Sequence, residues 1–259
     1  MTTATRLHTV APAEPLDAPA APRINLYAAI HRALRMAMTD ALLRVGSVYT
    51  ADASATRTAV TAVRELLAQC RHHLETENAH LHPAIEAARA GASARITAEH
   101  EEHVAAIDAL EVDAARLESR PSAASADHLY RRLALFVAEN FVHMDVEETV
   151  HNAALWAAYS DAELVAIHDR LLASISPADM FGILHWMLPA IAHADRALML
   201  REMRGQMPAP AFEAVLALAS ERLPADEWHK LEDALENPLE DAVQDSVAVA
   251  DAAPVARAA

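Results

Sequence analysis

Glycine is almost missing from this chain, with four residues in 259. So few permissive backbone positions exclude a hairpin-rich sheet protein, and the residues that dominate instead, Ala, Leu, Glu and Arg, are strong helix formers. An all-α fold is the expectation. Cysteine occurs once, at Cys70, so no internal disulfide is possible. This excludes a disulfide-stapled secreted scaffold and fits a reducing cytoplasm. Basic residues are also short: 21 Lys and Arg stand against 37 Asp and Glu, a net charge of −16. A chain this acidic repels phosphate backbones and anionic bilayers, so neither nucleic acid nor a membrane surface is an expected partner. The opening stretch MTTATRLHTVAPAEPLDAPAAP has no apolar centre, and no run of about 18 apolar residues follows; neither a secretory signal nor a membrane span is expected.

What is present is helical periodicity. Residues 1–22 and 237–259 are rich in Ala, Pro, Asp and Val without it, and read as disordered tails. Between them, apolar residues recur at three- and four-residue spacing in four long segments separated by short breakers. The first, 24–49, carries Ile24, Tyr27, His31, Leu34, Met38, Leu42 and Val45 on one stripe. The second, 54–89, carries Val63, Leu66, Cys70, His73, Glu77, His80 or Leu81, and Ala84, and should end before Gly91. The third, 93–118, carries Ile96, His100, His103, Ile107, Leu110 and Ala114. The fourth starts after Arg120-Pro121-Ser122 and carries Leu129, Leu133, Phe136, Asn140, His143, Glu147 and Val150. Short connections favour an antiparallel up-down-up-down four-helix bundle over residues 23–159. Weaker helical segments follow: a capping-box start at Ser160 to Glu163, a helix opened by Ser176-Pro177 and running towards Met203, and two more behind Pro208 and Pro224. Residues 160–236 are expected to pack on the bundle as an extension.

All four apolar stripes turn polar partway along, and the polar positions carry the chemistry. Histidine is followed four residues later by glutamate twice, in His73-Leu-Glu-Thr-Glu77 and His143-Met-Asp-Val-Glu147. Residues four apart share a helix face, so each pair can grip one metal centre from one side. The other two segments add His31 and His100 or His103. Buried carboxylates and imidazoles are costly unless paired or metal-bound, and these stripes hold few cations to neutralise them. A pair of dications meets the need. Imidazole with carboxylate suits iron, with zinc or manganese as substitutes; Glu77 and Glu147 would bridge two ions and the histidines would be terminal ligands. Glu139 and Asn140 are candidates for supporting hydrogen bonds. Cys70 reads as a small buried hydrophobe. His72, His82, His128, His168 and His229 read as surface or capping residues, and His185 and His193 have no assigned site. A rival pattern, Glu77-Asn-Ala-His80 with Glu148-Thr-Val-His151, matches carboxylate-rich di-metal bundles. The first segment offers none of the glutamate such a site wants, so His80 and His151 read as flanking residues.

The motifs AIHRALR around His31, RHHLETENAHLHPAIEA around His73 and Glu77, AEHEEHVAAIDAL around His100, and FVHMDVEET around His143 and Glu147 resemble the hemerythrin-like family. The resemblance covers about residues 24–158. It implies a four-helix bundle holding a carboxylate-bridged, non-haem centre of two iron ions that binds dioxygen or a related small ligand. His31, His73, Glu77, His143 and Glu147 carry over by position. Two features depart from the family's oxygen carriers: His100-x-x-His103 replaces a four-residue step, and Glu147 lies four residues after His143 where the carriers place an aspartate at five. Such a centre could leave a water position open and react with peroxide or nitric oxide. Residues 160–236 are similar to a C-terminal extension of some bacterial members. Three functions compete: a di-iron protein that binds, senses or handles dioxygen; an enzyme that disproportionates peroxide or reduces nitric oxide; and a metal-dependent regulatory protein meeting a protein partner through Trp186, Phe212 and Trp228 of the extension.

Overall fold

A computed structural model describes residues 23–237; the expected tails at 1–22 and from 238 onward lie outside the described residues. The described residues are helical with no strand. The elements are α1 (Ala28–Gly46), α2 (Ala53–His80), α3 (His82–Ala88), α4 (Ala94–Ser119) and α5 (Ala123–Val146). A π turn (Glu147–His151), α6 (Asn152–Ala158), α7 (Asp161–Ala173), α8 (Pro177–Ala190), α9 (His193–Gln206), α10 (Ala209–Arg222) and α11 (Ala225–Glu236) follow. Helices α1, α2, α4 and α5 form the bundle. Each packs on the next in chain order and α5 closes the ring against α1, as up-down-up-down topology requires. Their shared core includes Leu34, Met38, Val63, Leu66, Ile107, Leu110, Leu133 and Phe136. Cys70 lies in it with 2% exposure, and burial pushes its thiol up to about 12, leaving an inert small hydrophobe.

Two expected helices are interrupted. The segment expected at 54–89 breaks at Leu81, because Pro83 in the first turn of α3 lacks the N–H that would continue the ladder. The helix expected to run from Pro177 towards Met203 ends at Ala190, next to Pro189, and restarts at His193. The buried Arg196 holds that corner: its guanidinium donates to the carbonyls of Leu188 at 2.6 Å and Ile191 at 2.9 Å. The turn into α4 passes through Gly91 at φ +78°, where the Glu86 carboxylate accepts from Gly91 N at 2.7 Å and Ser93 N at 2.9 Å.

Arg23 ties the start of the described chain to the end of the bundle. It donates to Asp161 Oδ1 and the Tyr159 carbonyl, each at 2.6 Å, and to the Trp156 carbonyl at 3.0 Å. The capping box at Ser160 and Glu163 forms and opens α7, and α8 then turns by 116° to lie along α1. A second core, of Leu188, Leu200, Phe212, Val215 and Leu231 among others, joins α8 to α11. Phe212 is buried there, Trp186 packs against both cores and Trp228 is half-buried, so these aromatics serve packing. No single helix among the described residues is long and apolar enough to cross a membrane.

Candidate metal centre

The four bundle helices bring His31 (α1), His73 and Glu77 (α2), His100 (α4), His143 (α5) and Glu147 (the π turn) to one place. His31 and Glu147 are fully buried, and Glu77 and His100 are each 2% exposed. Each carboxylate divides its oxygens between two histidine groups. Glu77 Oε1 lies 3.2 Å from His73 Nε2 and 3.7 Å from His31 Nε2, while Oε2 lies 3.5 Å from His100 Nε2. Glu147 Oε2 lies 3.4 Å from His31 Nε2, while Oε1 lies 3.3 Å from His143 Nε2 and 3.5 Å from His100 Nε2. Two overlapping sets result, His31–His73–Glu77–Glu147 and Glu77–His100–His143–Glu147, each offering ligand atoms within 4.8 Å of one another.

The imidazoles are aimed from behind. Nδ1 of His31 donates to Glu148 Oε1 at 2.9 Å, that of His100 to Asn78 Oδ1 at 2.8 Å, and that of His143 to Glu99 Oε2 at 2.9 Å. Arg35 steadies Glu148 at 2.6 Å and Arg95 steadies Glu99 at 2.7 Å. With Nδ1 carrying the proton, Nε2 presents a lone pair to the interior, which is how metal-ligating histidines are held. The Nε2 atoms of His100 and His143 then face one another at 3.1 Å, an arrangement a cation or a proton must relieve. Both oxygens of Glu77 and of Glu147, with Nε2 of His31 and His73, are buried without a hydrogen-bond partner. The residues present therefore fit a bound cation.

Electrostatics tell the same story. Burial and the facing charge of Glu147 push Glu77 well above the usual carboxylate range. Burial also opposes the charge of Glu147, but the close imidazoles of His100 and His143 outweigh it and hold that group down. Burial works against protonating His31, yet its bond to Glu148 and the nearby Glu77 and Glu147 carboxylates raise it to about 9. Burial and the neighbouring His31 hold His73 well below its ordinary value.

Not every expected residue joins. His103 is buried beside His143, with ring centroids 4.7 Å apart, but contributes to neither set. Glu139 is exposed and Asn140 donates to the Phe136 carbonyl, so the supporting partners are Glu148, Asn78 and Glu99 instead. Two histidines expected elsewhere are drawn in. His82, read as a surface residue, is 6% exposed and stacks on His100 at 4.9 Å; His151, read as flanking, is fully buried beside Tyr27. Both follow a local break in the α-helical phase. The Leu81 break turns His82 inward, and the wider π turn rotates His151 back towards the face of His143 and Glu147. The usable signal was the unbroken four-residue step from His143 through Glu147 to His151. His80 joins no set among the described residues, His128 pairs with Asp113 at 3.3 Å on the surface, and His229 is exposed.

A cavity of about 240 Å³ opens between the bundle and the extension, reaching His73 and Glu77 past Ile30, Trp186 and Met187. No curated protein and no solved structure matches the chain. A family model does: the chain belongs to the hemerythrin HHE cation-binding domain family, whose model matches residues 23–155.

Proposed function

We propose that this cation-binding protein takes two non-haem iron ions, which His31 and His73 on one side and His100 and His143 on the other would hold, with Glu77 and Glu147 facing both sets. Its task is to bind, sense or handle dioxygen or a related small ligand. The observation that carries this reading is the division of each glutamate's oxygens between two histidine pairs. When bound, such a centre supplies redox-active ions with positions open to a small ligand. The chain's own residues fix its geometry: Glu148, Asn78 and Glu99 hold the tautomers, and the bundle core excludes bulk water. Tyr27, whose proton burial and the charge of Glu77 secure, stands beside His31 with ring centroids 5.3 Å apart.

The test is metal content per chain with the visible spectrum, under air and after anaerobic reduction. Two irons per chain and an oxygen-dependent charge-transfer band are expected; both should vanish in a folded His73→Ala, His143→Ala protein. Iron-loaded protein without such a band would remove dioxygen from the reading. An enzyme that disproportionates peroxide or reduces nitric oxide is the second reading, favoured by the cavity that leads to His73 and Glu77. Turnover no faster than that of free iron with either substrate would exclude it.

A further inference from the structure

His82 and His151 are two buried histidines that the two-ion arrangement leaves unused. We infer that His82 Nε2, His151 Nε2 and the Glu147 carboxylate form a third position for a divalent cation, beside the dinuclear pair. The inference rests on the metal-binding reading above and extends it. The three residues offer ligand atoms within 4.8 Å of one another. Both histidines are more than nine-tenths buried, and Nε2 of each lacks a hydrogen-bond partner. Their far nitrogens are held: His82 Nδ1 lies 3.2 Å from Thr97 Oγ1, and His151 Nδ1 lies 3.3 Å from the Tyr27 hydroxyl. A buried imidazole nitrogen without a partner is costly, so two of them converging on one carboxylate point to a ligand. The rear-held, front-free arrangement is that of His31, His100 and His143.

The third position differs from the other two in strength. It has one carboxylate, already shared by both sets, where the pair has two. Three dications around Glu147 also repel one another at short range, so the third binds last and most weakly.

The experiment is an anaerobic cobalt(II) titration of the full metal-free chain, read by visible absorption and by equilibrium metal content. Two tight equivalents and a third at least tenfold weaker are expected. His82→Phe and His151→Phe, each keeping a ring of similar size, should abolish the third equivalent and leave two. Should either protein fail to fold, two-bond ¹H–¹⁵N imidazole spectra of the wild type with zinc(II) give the answer directly: the Nε2 signals of His82 and His151 should move between the second and third equivalents. Saturation of the wild type at two equivalents with those signals unmoved would overturn the inference. So would a variant that binds only one, since its histidine would then belong to the primary pair. A wild type that binds no cobalt at all would bring down the two-ion reading as well, which separates the two failures.

Discussion

Glu77→Gln should stabilise the metal-free protein and cost it its response to metal. The carboxyl of Glu77 is raised from 4.5 to about 8 by burial and by Glu147. At pH 7.5 the folded state then keeps a proton that the unfolded chain has lost, a penalty of about 4 kcal/mol. Gln carries no such penalty, keeps the length of the side chain and still offers an oxygen to His73. Its amide leaves buried groups imperfectly paired, which returns about 1–3 kcal/mol. The net gain is about 1–3 kcal/mol, or roughly 3–9 °C in the thermal midpoint of a domain this size. The assay is thermal unfolding followed by circular dichroism, without metal and with two equivalents of zinc(II). Wild type should melt lower than the variant without metal and rise steeply with it, by about 3 kcal/mol at a hundredfold excess over Kd. The variant should rise little. A lower metal-free midpoint in Glu77→Gln would refute the reasoning, because the carboxylate would then be earning its burial from His31 and His73 alone.

Other outcomes follow from the same geometry. Metal-free stability should fall between about pH 6.5 and pH 9: His31 is raised to about 9, so its contribution is complete below the unfolded 6.5 and is lost as pH climbs through 9, and the raised Glu77 acts in the same direction. Melting curves across that window check this, and a flat or rising midpoint would contradict it. His103→Leu should keep the wild-type metal content, since His103 enters neither ligand set; a lower content on metal analysis would put it back among the ligands. Gly182 lines the cavity and a Cβ there meets nothing within 4 Å, so Gly182→Phe should fold, keep its iron and slow azide association with the loaded protein at least threefold. Equal rates in stopped flow would take the cavity off the ligand's route.

Much of the bundle was legible because its stripes obey one period. In α4 every stripe residue, from Ile96 through His100, His103, Ile107 and Leu110 to Ala114, is buried. Breaks were harder to read. Gly91 announces a turn because its backbone adopts positive φ, whereas Pro83 and Pro189 lie inside stretches whose apolar pattern continues across them. Periodicity says which residues face inward. It does not say where the ladder fails, since that depends on which carbonyl loses its donor and what replaces it. At the α8–α9 corner the replacement is Arg196, eight residues from Leu188, a partner that no local rule would nominate.

The centre divides along the same line. His73–Glu77 and His143–Glu147 were readable because α-helix leads from each histidine to its glutamate, the π turn only beginning at Glu147, and a four-residue step puts both side chains on one face. His100 and His103 could not be told apart, because a three-residue step on one buried stripe leaves both facing inward; what separates them is the position of α2, which puts Asn78 behind His100 and Glu77 in front of it. His82 and His151 were misplaced for other reasons. His82 follows the Leu81 break, so extrapolating 3.6 residues per turn from His73 and Glu77 gives the wrong face; His151 continues the four-residue step from Glu147 and was set aside with the carboxylate-rich pattern it belongs to. Without the Leu81 break, regular helix would turn His82 away from the face of His73 and Glu77. The Leu81 break is thus what brings His82 to the cluster, which is why restoring regular helix there should act on metal stoichiometry before it acts on the fold.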